Sequence, residues 1–168
     1  MATPIEIERK YVIRMPDIDI LKHRADYTVS EIRQTYLESE PDVTHRVRMR
    51  VYGDKVVFTE TRKIRIDKIS SHEDEREIDE CTYKELLTRI KKGTRTLTKT
   101  RHTFCALTGT FEVDIYPEWQ KSCILETELS SRTERAQLPD FIKVVREVTG
   151  ERAYSNHSMS RSFPPELV

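Results

Sequence analysis

The sequence predicts an α+β fold dominated by antiparallel sheet, and three observations carry that prediction. Period-two alternation runs through most of the chain, only three short stretches show helical spacing, and turn residues fall between the alternating segments. A length of 168 residues suits one domain, residues 1–168, with a real core.

The elements follow in order. Ile5-Glu6-Ile7-Glu8-Arg9-Lys10-Tyr11-Val12-Ile13 alternates as a strand and stops at Met15-Pro16. Pro16 to Ala25 reads as a short helix, with Ile18, Leu21 and Ala25 on one stripe and Pro16 at a first-turn position. Strands are expected at Val29–Leu37 and His45–Tyr52, and Gly53-Asp54 turns the chain into a fourth at Lys55–Thr61. A polar loop, Arg65 to Ser71, precedes a strand at Glu73–Ile78. Thr82 is expected to cap a helix bearing Tyr83, Leu86, Leu87 and Ile90, which Gly93 stops. Strands return at Thr96–Phe104, Thr110–Tyr116 and Cys123–Ser130, with Thr108-Gly109 and Pro117 as turn residues. Leu138–Thr149 carries Phe141, Ile142, Val145 and Val148 at helical spacing, and the tail after Pro164 is expected to be loose.

Composition narrows the function. Lysine plus arginine equals aspartate plus glutamate at 29 each, so the basic excess of a general nucleic-acid binder is missing. Cys81, Cys105 and Cys123 are an odd number without metal-ligand spacing, as expected of reduced thiols in the cytoplasm. The first residues, Met1 to Glu6, lack a signal-peptide pattern, and no apolar run approaches membrane-spanning length. The expected partner is a small molecule, with neither nucleic acid nor membrane.

The charges themselves are segregated by strand. One face of the first strand presents Glu6, Glu8 and Lys10; later strands present Arg46, Arg48 and Arg50, then Glu73, Glu75 and Glu77. Lys99 with Arg101, Glu112 with Asp114, and Glu126 with Glu128 complete the series. Any one of these strands alone reads equally as the solvated face of an amphipathic sheet. Together they pair like charges roughly 6.5 Å apart, repelling by about 2.5 kcal/mol at an effective dielectric near 20. Such pairing suits an external counter-ion: a divalent metal for carboxylates, phosphate for guanidinium and ammonium groups. If the helices cover the apolar faces, the charged faces point into a water-filled tunnel or cup, or to open solvent; alternation alone fits both a barrel and a curved open sheet.

Glu6-Ile7-Glu8-Arg9-Lys10 resembles the ExExK motif of the CYTH superfamily, the triphosphate tunnel metalloenzymes. The likeness continues in order through Ile32-Arg33-Gln34-Thr35-Tyr36-Leu37, His45-Arg46-Val47-Arg48, Glu73-Asp74-Glu75 and Lys99-Thr100-Arg101. It runs on through Phe111-Glu112-Val113-Asp114, Glu126-Thr127-Glu128-Leu129, and Glu147-Val148-Thr149-Gly150 with Tyr154-Ser155-Asn156, covering roughly residues 5 to 160. The resemblance implies an eight-stranded antiparallel β-barrel, a tunnel with helices packed outside, hydrolysing a triphosphate with Mg²⁺ or Mn²⁺. On this chain it places Lys10, Arg46, Arg48, Lys99 and Arg101 on the phosphates. It places Glu6, Glu8 and Glu128 on a metal, and Glu73, Glu75, Asp114 and Glu126 on a second metal or on the attacking water. Glu8, Lys10, Glu75 and Glu126 are the expected catalytic groups.

Two positions depart from the family pattern. Thr61 stands where a lysine is common, and Ser71 where an arginine is; Lys63, on the same face as Thr61, is the expected replacement phosphate contact. Of the histidines, His23, His72, His102 and His157 read as surface or packing residues, and His45 borders the arginine strand. Trp119 reads as a cap on the barrel end, and Glu77 as solvated. Inorganic tripolyphosphate is the expected substrate; the alternatives are thiamine or nucleoside triphosphate hydrolysis, class IV adenylyl cyclase chemistry, and a non-catalytic polyphosphate- or nucleotide-binding module.

Overall fold

The computed structural model describes residues 4–107 and 109–168. Thr108, half of one expected turn, and Met1 to Thr3 lie outside the described residues. The strands are β1 (Ile5–Arg14), β2 (Ala25–Leu37), β3 (Val43–Tyr52), β4 (Lys55–Arg65), β5 (Ser70–Ile78), β6 (Leu97–Ala106), β7 (Gly109–Ile115), β8 (Ser122–Glu128) and β9 (Val144–Glu147). Three short helices join them: α1 (Ile18–Lys22), α2 (Glu80–Leu87) and α3 (Asn156–Met159). Pairing runs β5-β4-β3-β2-β6-β7-β8-β1, and β1 then pairs with β5, so eight antiparallel strands close on themselves. Closure rests on Ile5, Glu6 and Ile7 opposite His72, Ser71 and Ser70, continued by the Glu8 amide donating to the Ile69 carbonyl at 3.0 Å. The open sheet is thereby excluded.

Alternation decides what each face meets. The outward residues Tyr11, Ile13, Phe104, Phe111, Val113, Cys123 and Leu125 form a core with Leu21 of α1 and Ile142. A second outer core, Leu37, Val47 and Tyr83, lies under α2. The inward rows are charged over most of their length and turn apolar together at one end. There Val12, Leu97, Tyr116 and Ile124 follow Lys10, Lys99, Asp114 and Glu126 on four adjacent strands. They pack with Trp119, Val148, Tyr154 and Met159 as a floor inside the barrel. Trp119 does cap the barrel end, donating from Nε1 to the Pro164 carbonyl at 3.0 Å.

Several boundaries differ from the sequence expectation. The expected helix at Leu138–Thr149 is absent: Val144–Glu147 is strand β9, pairing with Tyr11–Ile13. β1 has given its N-terminal half to β5, so its C-terminal half offers a free edge, and the β-branched Val144, Val145 and Val148 suit that edge better than a helix. Asp79, not Thr82, caps α2, accepting from the Thr82 amide at 2.7 Å, because the helix starts at Glu80. α1 is only five residues long, and β2 begins at Ala25, with a bulge between Ala25 and Thr28 and Asp26 at φ 53°. The tail is not loose: Glu166 accepts from the amides of Gln120, Lys121 and Ser122 at 3.0, 2.5 and 2.7 Å, tying it under the floor. Among the described residues no helix is long and apolar enough to cross a membrane.

The floor makes a stability prediction. Met159 is fully buried within it, so Met159→Ala is expected to cost about 2–4 kcal/mol. Urea unfolding followed by circular dichroism measures this; a cost below about 0.5 kcal/mol would mean the C-terminal segment does not plug the barrel.

Candidate active site

The inward charges surround a cavity of about 1320 Å³ lined by residues of all eight barrel strands, β1 to β8, and of the segment 148–161. Glu6, Glu8, Lys10, Arg46, Arg48, Lys63, Glu73, Glu75, Arg101, Glu126 and Glu128 all line it, as do Thr44, Ser71, Arg50 and Glu112. Lys99 and Asp114 do not; they sit below its surface, against the floor.

That lower layer is a closed ion-pair network. Asp114 is fully buried and accepts from Lys99 Nζ at 2.5 Å and from Arg101 Nε and Nη2 at 2.6 and 2.7 Å. Arg101 also reaches Glu126 at 3.0 Å and pairs with Glu112. Glu126 gives its other oxygen to Lys10 Nζ at 2.8 Å. Burial opposes every charge here. The partners prevail at Lys10 and Arg101, which are raised, and at Asp114 and Glu126, which are lowered, whereas at Lys99 burial, reinforced by Arg101, prevails and lowers it to about 8. Both oxygens of Asp114 and of Glu126 are thus already engaged by cations.

Above this layer the charges separate into two poles. At the basic pole, Arg48 is buried but makes no ion pair among the described residues. Its Nε and Nη2 donate to one neutral acceptor, Gln34 Oε1, at 3.2 and 3.1 Å. Burial, reinforced by Arg46 and Arg101, lowers it to about 10. A desolvated guanidinium without a carboxylate is an anion site in waiting.

At the acidic pole, Glu8 faces Glu128 directly across the β1–β8 pair, and neither makes an ion pair among the described residues. Burial, then Glu112 and Glu8, raise Glu128. Burial and Glu73 raise Glu6 to about 7. Burial opposes ionisation of Glu73 too, but Arg46 and Lys63 hold it below the usual carboxylate value. Among the described residues no three acidic or histidine side chains already stand as a metal cage. The donor set nevertheless fits a hard divalent cation: carboxylate oxygens in excess of positive charge, gathered at one end of the cavity.

The remaining expectations are placed as follows. Glu75 is half-exposed and accepts from Thr61 Oγ1 at 2.7 Å, so the departure at Thr61 leaves a hydrogen bond where the family pattern has a lysine. Lys63 does point into the cavity, 3.1 Å from Glu73 and 3.4 Å from Glu6. Glu77 is exposed. His45 lies on the opposite face of β3, bonded to Glu60 at 2.7 Å. His157 does pack, on the Tyr36 ring at 4.9 Å, but it also lines the cavity.

Residues not assigned a role from sequence are Gln34 and Tyr36, joined by a 2.6 Å hydrogen bond from Gln34 Nε2 to Tyr36 Oη, together with Lys91 and Arg161. Carrying the alternation of β2 two and four residues past Ile32 would have found the first two. Lys91 and Arg161 reach the wall from non-strand segments, where no periodicity marks them.

Solved structures share this architecture. The inorganic triphosphatase NE1496 superposes with a TM-score of 0.58 at 24% identity, over 98% of this chain and 99% of that one. The PH1819 protein of Pyrococcus horikoshii OT3 gives 0.58 at 22% identity, over 76% and 80%. A putative adenylyl cyclase from Hippeastrum, described as having a dominant triphosphatase activity, gives 0.52 at 15% identity, over 74% and 80%. No protein-family model matches the sequence, and no curated protein does. The fold these solved structures share with this chain is a closed antiparallel barrel. The chain has the closed eight-stranded barrel that its resemblance to the CYTH superfamily implies.

The acidic pole predicts a pH dependence of the metal-free protein. Glu6 binds its proton more tightly folded than unfolded, so its contribution to stability is full below about pH 4.5 and is lost as pH rises through about 7. The loss is expected to be on the order of 1–2 kcal/mol after allowance for solvent screening. Urea unfolding in chelator at pH 5 and pH 7.5 measures it, and Glu6→Gln should flatten the difference. Equal slopes in wild type and variant would remove Glu6 from the cluster.

Proposed function

We propose that the chain is a metal-dependent hydrolase of small triphosphates, with inorganic tripolyphosphate as its substrate. The observation that carries this reading is the complementary shortage of charge at the two poles. Arg48 lacks an anion, Glu8 and Glu128 lack a cation, and both sets face one cavity. A triphosphate complexed to a divalent metal supplies both. The fold shared with solved triphosphatases supports the same reading.

Glu6, Glu8 and Glu128 would hold the metal, with Glu73 beside them; Mg²⁺ or Mn²⁺ suits these hard oxygen donors. When bound, the metal would neutralise phosphate charge and activate water. Arg46, Arg48, Arg101 and Lys10 grip the phosphate oxygens through charge-assisted hydrogen bonds. Asp114 and Glu126 act one step back: they fix the directions of Arg101 and Lys10, so no reorientation is needed when the phosphates arrive. Lys99 supports Asp114 from beneath. Glu75, half-exposed and aimed by Thr61, orients the attacking water. Phosphoryl transfer needs positioning and charge neutralisation more than a covalent nucleophile, and the cavity is built for both.

Phosphate release from tripolyphosphate, with and without Mg²⁺, tests the proposal, with ATP and thiamine triphosphate run beside it. Metal-dependent release fastest on tripolyphosphate is expected; tight binding without release would make the chain a sensor. Glu8→Gln should lower turnover by at least ~10²-fold with the fold intact.

Arg48→Lys, which keeps the charge but loses the planar fork, should lower kcat/KM by about 10- to 100-fold. Steady-state kinetics check this, and an unchanged value would take Arg48 off the phosphates.

A further inference from the structure

The two poles meet at one carboxylate. Glu73 Oε1 accepts from Arg46 Nη2 at 3.0 Å, while its Oε2 faces the Lys63 ammonium at 3.1 Å. The same ammonium lies 3.4 Å from Glu6 Oε2. Yet Glu73 Oε2 is buried without a hydrogen bond of good geometry. The ammonium therefore neutralises this oxygen without being aimed at it; its hydrogen bond goes instead to Glu6 Oε2 at 3.4 Å, a long contact that holds it lightly. On β4 it stands two residues beyond Thr61, which pairs with Arg46 across β3–β4. Lys63 therefore shares the inward face of Arg46 on β3 and stands opposite Glu73 on β5.

We propose that the Lys63 ammonium stands in for the divalent cation at the acidic pole. A metal that takes Glu6 and Glu73 then releases Lys63 and Arg46 together onto the phosphates. This rests on the metal-dependent reading of the cavity. A divalent ion needs its carboxylate oxygens at about 2.0–2.6 Å, and an ammonium already in contact with two of them must leave. The exchange is favourable because two charges replace one among carboxylates that carry an excess. It also has a consequence for the opposite pole. Arg46 and Lys63 are both neutralised by Glu73 in the free protein, so the basic pole is incomplete until the metal captures that carboxylate. Metal and triphosphate therefore bind cooperatively, each tightening the other by the same factor. The ligand the cavity selects is the metal–triphosphate complex rather than the free anion.

Isothermal titration calorimetry at pH 8, with no phosphate present, separates the possibilities. Mg²⁺ is titrated into wild type, Lys63→Met and Lys63→Gln; a non-hydrolysable tripolyphosphate analogue is then titrated with and without Mg²⁺. Both variants are expected to bind Mg²⁺ at least about fivefold more tightly than wild type, because no ammonium has to be displaced. Mg²⁺ should tighten the analogue clearly in wild type and by a smaller factor in the variants. Equal or weaker Mg²⁺ binding in folded variants, or no Mg²⁺ effect on the analogue in wild type, overturns the stand-in while leaving a metal site. If neither wild type nor variants take up Mg²⁺, the metal-dependent reading fails, and this inference with it.

Discussion

A charge turned into a closed barrel must find its countercharge inside that barrel, and the rest of this structure follows from that constraint. Water alone cannot solvate inward rows of arginine and glutamate once β1 pairs with β5 and shuts the wall. Lys99, Arg101 and Lys10 interleave with Asp114 and Glu126 for this reason, each acid between two cations. Glu8 and Lys10 on β1 excepted, inward charged neighbours on a strand carry the same sign, so compensation runs mainly across strands. Where cross-strand compensation stops, at Arg48 and at Glu8 opposite Glu128, the structure is left short of an ion.

The floor answers the same constraint by other means. A barrel open at both ends would admit water to the Lys99–Asp114 pair and weaken it. Instead the inward rows change from charge to Val12, Leu97, Tyr116 and Ile124, and the chain's last segments close underneath. The Tyr116 hydroxyl donates to Asn156 Oδ1 at 2.6 Å, so α3 is pinned to the barrel by a polar contact as well as by packing. This gives the C-terminal segment two duties at once. Tyr154 and Met159 face the floor, while Asn156 and His157 form part of the cavity wall.

Period-two alternation made the barrel rows legible, because a strand must place residues i and i+2 on one face. The inward charges of the barrel strands from Glu6 to Glu128 were readable in this way, the uncharged Gln34 and Tyr36 were not, and the CYTH resemblance supplied the closure that alternation left open. The segment at Leu138–Thr149 was misread because Phe141, Ile142, Val145 and Val148 fit a helical stripe. In the structure Ile142 enters the outer core and Val148 the floor, so one short segment bridges two separate apolar clusters. Nothing local in the sequence distinguishes one continuous stripe from two half-filled ones. The tail failed for a similar reason: Glu166 looks solvated until the amides of Gln120 to Ser122 are brought to it.

The acids of the cavity differ less in chemistry than in how firmly they are held, and that gradient is what the site requires. Asp114 at the base is wholly enclosed and bound to two cations; Glu126 above it is nearly so; the Glu6 side chain at the top keeps 30% of its surface exposed and, among the described residues, has only the long ion pair to Lys63. Uniformly firm pairing would leave every charge satisfied and no reason to bind an ion. Uniformly loose pairing would let the arginines collapse onto the glutamates and erase the two poles. A rigid lower layer fixes Lys10 and Arg101 in place, and a lightly held upper layer keeps Glu6, Glu8 and Glu128 free to exchange partners. The departure at Thr61 fits this division: it removes a cation from the centre of β4 and leaves Lys63 at the upper edge, where its partners are the exchangeable ones.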